Sequence, residues 1–335
     1  MNKKKCGQQS ILFASPPVIT STANIVGPME GDGLLTEFYD RILEDNLDNN
    51  SSWEKCESSM MEWAIKTAIT RENSATNDID YVLAGDLLNQ LMSTHFAVRG
   101  IGRPFLGLYG ACSTLAEGML IGSTLIDGGF ASKIVTAVSS HHDTAERQYR
   151  FPTEQGVQRP MVSQWTVTGS GAVVISSAGN GPRITAATVG KIVDIGMQDP
   201  NAMGAAMAPA AADTLWHHFE DTGRQPNYYD MIYTGDLGSV GKALVIELFK
   251  EKNIDLSTNY EDCGCMIFRE DQDAHAGASG CASSGIVFTG YIYQLLMQQK
   301  LRKILLVGTG SLHSTTSYQQ KESIPCIAHA VAVEG

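Results

Sequence analysis

The sequence predicts an α/β protein built from two similar halves. Three observations carry this. A strand-like run recurs at a fixed offset, a turn opening a helix recurs with a cysteine in it, and the order of features around them is the same in both halves. Asp80-Tyr81-Val82-Leu83-Ala84-Gly85-Asp86-Leu87 returns as Asp230-Met231-Ile232-Tyr233-Thr234-Gly235-Asp236-Leu237. Each copy reads as a buried strand ending in a Gly-Asp turn, and each follows an expected helix, near 52–72 and 208–221. Four matched features in one order make duplication a better account than chance. Strands alternating with helices imply sheets layered with helices.

The second matched pair starts at the cysteine turns. Gly110-Ala111-Cys112-Ser113-Thr114 precedes a helix running to about Asp127 and then a strand from Lys133 to Val138. Ser279-Gly280-Cys281-Ala282 precedes a helix to about Gln299 and a strand from Lys303 to Val307. Polar turns with histidine follow, Ser139-Ser140-His141-His142 and Thr309-Gly310-Ser311-Leu312-His313, and each half closes on a further strand, near 172–176 and 330–333. Gly179-Asn180-Gly181-Pro182 reads as the turn between halves 1–181 and 182–335.

Bulk properties narrow the function. The 335 residues are 43% hydrophobic and 18% charged, which allows a large core. A net charge of -12 argues against a general nucleic-acid binder, since phosphate contact needs a basic face. No run reaches the roughly 18 apolar residues of a membrane span. The Lys3-Lys4-Lys5 start is followed by polar residues and only a short apolar run, Ile11 to Ala14, and reads as a flexible tail rather than an export signal. Seven scattered cysteines, an odd number, suit free thiols in a reducing compartment.

The chemistry concentrates at the turns. A strand over Arg103–Tyr109 is expected to lead into Cys112, and Thr114 with Glu117 fits a capping box that starts a helix just beyond it. A thiol there feels the positive helix end, which favours the thiolate, and the same unpaired amides suit a carboxylate. The turn therefore permits catalysis, anion recognition or a buried inert thiol. Residues 139–166 look long and poor in regular pattern, and carry His141, His142, Arg147, Arg150 and Arg159 with Tyr149 and Phe151. Arg147 or Arg150 can fork onto a carboxylate, or pair with Glu146 or Glu154. Cys263-Gly264-Cys265 lacks a second ligand pair, so no metal site is read there; alternation puts both thiols on one strand face. His217-His218 reads as exposed or capping at a helix end, and Asp86 and Asp236 as turn-setting residues.

Gly-Ala-Cys-Ser-Thr opening a buried helix in a duplicated chain resembles the thiolase and ketoacyl-synthase superfamily. That resemblance implies a five-layer α-β-α-β-α fold, a pocket between the halves, a common tendency to dimerise, and Cys112 as an acyl-accepting nucleophile in an acyltransferase or condensing enzyme. The chain departs from the pattern at Gly280-Cys281, where the enzymes generally have Gly-His. His313 is the substitute acid–base group on offer.

A narrower resemblance spans nearly the whole chain. Leu83-Ala84-Gly85-Asp86-Leu87-Leu88-Asn89-Gln90, Thr144-Ala145-Glu146-Arg147-Gln148, Thr168-Gly169-Ser170-Gly171-Ala172-Val173-Val174, Met207-Ala208-Pro209-Ala210-Ala211-Ala212-Asp213-Thr214 and Gln319-Gln320-Lys321-Glu322-Ser323-Ile324-Pro325 are similar to the stage V sporulation protein AD family. The resemblance implies a dipicolinic-acid-binding protein of spore formers. It would work peripherally at the inner spore membrane, with membrane proteins that move dipicolinate and accompanying calcium into the developing spore and release it at germination. No cofactor is required on this reading. The ligand set to test is Cys112, Ser113, Glu117, His141, His142, Arg147, Arg150, Cys281 and His313.

Overall fold

The computed structural model describes residues 4–149 and 158–335. Arg150, Phe151 and Glu154 lie outside them. The first half runs β1 (Val18–Val26), α1 (Trp53–Arg71), β2 (Tyr81–Gly85), α2 (Met92–Ile101), β3 (Phe105–Gly107), α3 (Thr114–Asp127), β4 (Lys133–Ser140), α4 (His142–Tyr149) and β5 (Gly169–Ser176). The second runs β6 (Arg183–Thr188), α5 (Met203–Thr222), β7 (Met231–Thr234), α6 (Gly238–Lys250), β8 (Tyr260–Asp262), α7 (Cys281–Val287, continued helically to Met297), β9 (Lys303–Ser311), α8 (Thr315–Gln319) and β10 (Cys326–Glu334).

The strand orders are β1-β5-β4-β2-β3 and β6-β10-β9-β7-β8, so each place in one block has its counterpart in the other. The antiparallel and parallel pairings match as well. The blocks meet edge to edge where Val18 faces Arg183. Buried apolar runs explain the strands: every residue of β5 is buried, as a strand covered on both faces requires.

Helices α1 and α2 cover the outer face of the first block, and α5 and α6 that of the second. Between the blocks lie α3, which touches β4 of its own half and β9 and β10 of the other, and α7, which touches β4 and β5. The result is the α-β-α-β-α order. The middle layer packs Leu115, Met119, Ile286, Phe288 and Val331, all buried. Burying each such side chain contributes roughly 1.5–3 kcal/mol.

Several local expectations change. The helix expected near 208–221 starts earlier, at Met203, and carries Pro209 inside, where its missing N–H costs one helical bond. The strand before Cys112 shortens to Phe105–Gly107. Cys263–Cys265 forms a 3-10 turn rather than a strand, because Asp262 accepts the Gly264 N–H and closes it. His218 is fully buried rather than exposed: its ring bonds Thr188 Oγ1 at 2.8 Å and the Tyr229 hydroxyl at 2.5 Å. The flexible tail is corrected for residues from Lys4 onward. Ser10–Leu12 pairs with β6, Lys4 pairs with Asp127 at 3.0 Å, and Asp221 accepts the N–H groups of Gln8, Gln9 and Ser10. Among the described residues no helix is long and apolar enough to cross a membrane.

Candidate functional site

The Cys112 turn folds as it does because neighbours force it. Ala111 has φ +50°, a left-handed conformation that a non-glycine residue adopts only when its surroundings dictate it. Three donors secure the carbonyls there. Ser113 Oγ donates to Gly110 O at 2.7 Å, Thr114 Oγ1 to Ala111 O at 2.6 Å, and Cys281 Sγ to Ala111 O at 3.1 Å. From behind, β9 presses glycine against the turn: a Cβ on Gly310 would lie 2.4 Å from Gly110 O.

The capping box does not form. A 3-10 turn over Ala111–Ser113 precedes α3, so Ser113 occupies the cap position in a helical conformation (φ -77°, ψ -7°) instead of the extended one a side-chain cap needs. The Thr114 hydroxyl is spent on Ala111 O. Glu117 folds under Gly110, its Oε2 buried without a hydrogen-bond partner, and burial raises its pKa.

Cys281 opens α7 from the other half, after Gly280 at φ +103°. Its thiol is fully buried. Desolvation pushes its pKa well above the ordinary value, and Asp86, Glu57 and Asp236 push it further. It is a proton donor to the Cys112 turn, not a base. No disulfide joins the cysteines.

Above this turn lies a cavity of about 620 Å³ between the halves, walled by Tyr109, Cys112 and Tyr149 from the first and Met203, Leu312 and His313 from the second. A smaller chamber of about 260 Å³ adjoins it, sharing Tyr149, Met203, His313 and Ser314 and adding Glu146, Arg159 and Gln164. The rings of Tyr149 and His313 stand 5.4 Å apart where the chambers share their wall.

The candidate residues separate on this geometry. Cys112 and His313 line the large cavity; Ser113, Glu117 and Cys281 do not line it, and hold the Cys112 turn from beneath. His141 does not reach the cavity. It is buried, with Nε2 2.8 Å from Asn46 O and Nδ1 accepting the Asp143 N–H, and desolvation lowers its pKa. His142 sits behind the wall, stacked at 3.6 Å and 2° on Trp165. Arg147 is turned away, paired with Glu54 over the ring of Trp53. Arg150 falls outside the described residues. The stretch 139–166 is also less irregular than expected, since β4 reaches Ser140 and α4 follows at once.

Asp86 and Asp236, read as turn-setting residues, are buried acceptors that tie turns in place. Asp236, buried after β7, accepts Thr309 Oγ1 at 2.7 Å and the Gly280 N–H at 3.1 Å, fixing the Cys281 turn to β9. Asp86, buried after β2, accepts the N–H groups of Leu88 and Thr94 and the Thr94 hydroxyl. Their place after duplicated strands was the available signal.

Buried titratable groups set a pH response. Burial pushes Glu30 and Asp262 up to about 7, and burial with the nearby Asp86 raises Glu57. Burial pushes His218 down to about 3 and His329 to about 4. A carboxyl that keeps its proton in the folded state loses stability as pH rises from its unfolded value through its folded one. A histidine held neutral loses stability as pH falls below its ordinary 6.5. The two oppose each other at mildly acidic pH, and above 6.5 only the carboxyls act. The melting temperature should therefore fall between about pH 6.5 and 8, each carboxyl contributing on the order of 1 kcal/mol. Glu57→Gln should flatten that fall; a flat or rising wild-type profile would refute the assignment.

The comparisons with known proteins follow the same lines. The family model described as Stage V sporulation protein AD matches residues 7–334. Stage V sporulation protein AD of Bacillus subtilis (strain 168) is 46% identical over 331 residues, covering 99% of this chain and 98% of that one. Among solved structures, 3-oxoacyl-[acyl-carrier-protein] synthase III of Aquifex aeolicus VF5 aligns with a TM-score of 0.57 at 13% identity, over 95% of this chain and 100% of that one. A variant of Xanthomonas campestris OleA aligns at 0.60 and 15%, over 97% and 99%. At that identity the likeness shows the fold, which is thiolase-like, and nothing of the chemistry.

Proposed function

The chain belongs to the stage V sporulation protein AD family, and from that membership we propose that it binds dipicolinate non-covalently in the cavity above the Cys112 turn. Dipicolinate is a flat pyridine with two carboxylates, and it needs donors at its edge and apolar or aromatic surface on its faces. Tyr109, Tyr149 and Leu312 supply the surface, and the backbone of the Gly110–Cys112 turn and the His313 imidazole the polar groups. The cavity exceeds the ligand in volume.

One observation favours binding over acyl transfer. The group that meets the Cys112 turn from the second half is the Cys281 thiol, held protonated and already donating to Ala111 O. A cysteine nucleophile is helped by a neighbouring base that takes its proton, and the Cys281 position supplies none to the turn. The surroundings of Cys281, with Asp86, Glu57 and Asp236, work against a thiolate there.

On this reading the protein lies against the inner spore membrane and hands dipicolinate, with calcium accompanying it, to membrane partners during spore formation and germination. Titration of dipicolinate into the purified chain should give saturable binding. Cys112→Ala should weaken it about fivefold, the loss of roughly 1 kcal/mol of contact in the cavity floor. Incubation with acyl-CoA followed by intact-mass measurement should leave the chain unmodified. A stable adduct on Cys112 that turns over would replace binding with condensing or acyl-transfer chemistry.

A further inference from the structure

We infer that Arg159, in the smaller chamber, selects a second carboxylate on the ligand; this rests on the reading that the adjoining cavity binds dipicolinate. Among the described residues lining either chamber, Arg159 is the only lysine or arginine. The large cavity offers an anion the backbone of the Gly110–Cys112 turn and the imidazole of His313, which suits one carboxylate. A dianion leaves one negative charge to be met elsewhere, and leaving it unmatched in a partly desolvated site is costly.

The smaller chamber meets it. It shares His313, Tyr149, Ser314 and Met203 with the large cavity, so a flat ligand lying along the Tyr149–His313 pair reaches both. The guanidinium is held in place beforehand. Nη2 donates to Asp273 O at 2.6 Å, from the other half of the chain, and the guanidinium carbon stands 4.8 Å from the centre of the Trp165 ring. Trp165 is itself stacked on buried His142. A planar fork whose orientation is fixed by packing suits a carboxylate better than a flexible ammonium, and costs less ordering on binding.

Glu146 sharpens the selection. It is buried on α4 and lines the same chamber, so a carboxylate entering there meets an acid as well as the arginine. A ligand with one carboxylate, held in the large cavity, would notice little.

The test compares dipicolinate with picolinate, the pyridine that carries one carboxylate. Calorimetric titration of the full chain should show dipicolinate binding at least ~10-fold tighter, the contribution of one charge-assisted pair. Arg159→Gln should reduce the ratio to about 1–2 while leaving picolinate affinity unchanged, and Arg159→Lys should restore only part of it. The unchanged picolinate affinity reports that the variant is folded. A wild-type chain with no preference, or an Arg159→Gln variant that keeps the full ratio, overturns the inference alone. A wild-type chain that binds neither acid overturns the binding reading and the inference together.

Discussion

Gly310→Val is expected to cost the protein its ligand site. A Cβ at 310 would lie 2.4 Å from Gly110 O, 3.2 Å from Ser113 N and 3.4 Å from Ser113 Cβ. The strand resists retreat, because β9 is paired with β10 along its length, Gly310 against Ile327, and with β7 over Ile304–Val307. The Cys112 turn must move instead. That displaces Ala111 from its left-handed conformation and lengthens the bonds from Ser113 to Gly110 O and from Thr114 to Ala111 O. Overpacking of this kind costs about 1–3 kcal/mol of stability, with valine towards the upper end. The larger effect falls on the site, since the whole cavity floor is displaced. Dipicolinate affinity should drop by more than ~10-fold, beyond ~1.4 kcal/mol. Unfolding in denaturant and a dipicolinate titration measure the two effects. Retained affinity would mean that the turn is not the floor of the site.

Asp236→Ala should destabilise the fold by about 2–3 kcal/mol, because it strands buried donors. The carboxylate ties two elements, accepting Thr309 Oγ1 from β9 and the Gly280 N–H at the entry to α7. Gly280 takes φ +103°, a conformation open to glycine, and a Cβ there would lie 2.8 Å from Ser140 Oγ, so the α7 start is closely fitted and that tie fixes it. With alanine, the Gly280 N–H remains buried without its acceptor, and the Cys281 turn loses its register against Ala111. Asp236→Asn keeps one carbonyl acceptor and should recover about half of the loss. Equal stability of Asp236→Ala and wild type in denaturant unfolding would show that the tie contributes nothing.

The duplicated architecture was legible because it rests on local signals. Tyr81–Gly85 and Met231–Thr234 are apolar runs closed by Gly-Asp, and the helices after Cys112 and Cys281 begin at turns rich in small residues. The turn at Cys112 was legible as a place, but its hydrogen bonding was not. Thr114 and Glu117 have the spacing of a capping box, yet the Ala111–Ser113 turn is set by Cys281 and Gly310 from the other half, some 170 and 200 residues away (Cys281 and Gly310 against Cys112).

The same cause accounts for the misplaced basic residues. Arg147 pairs with Glu54 on α1 rather than with a neighbour in its own segment, and His142 stacks on Trp165. His217 and His218 are adjacent in sequence but about 100° apart around the helix, so one is half-buried and the other faces Thr188 in the core. Arg159 lay in a stretch without periodicity, and its partner Asp273 belongs to the other half. Contacts made across the duplication leave no trace in local pattern.

Dipicolinate seated on Cys112 should shield that thiol from reagents in solution. Cys112 is 8% exposed and opens onto the cavity, whereas Cys263 and Cys281 are fully buried and Cys6 and Cys265 are partly exposed elsewhere. Iodoacetamide labelling with peptide mass mapping follows each cysteine separately. Dipicolinate should slow alkylation of Cys112 saturably while Cys6 and Cys265 label at an unchanged rate. An unchanged Cys112 rate at saturating dipicolinate would contradict that seating.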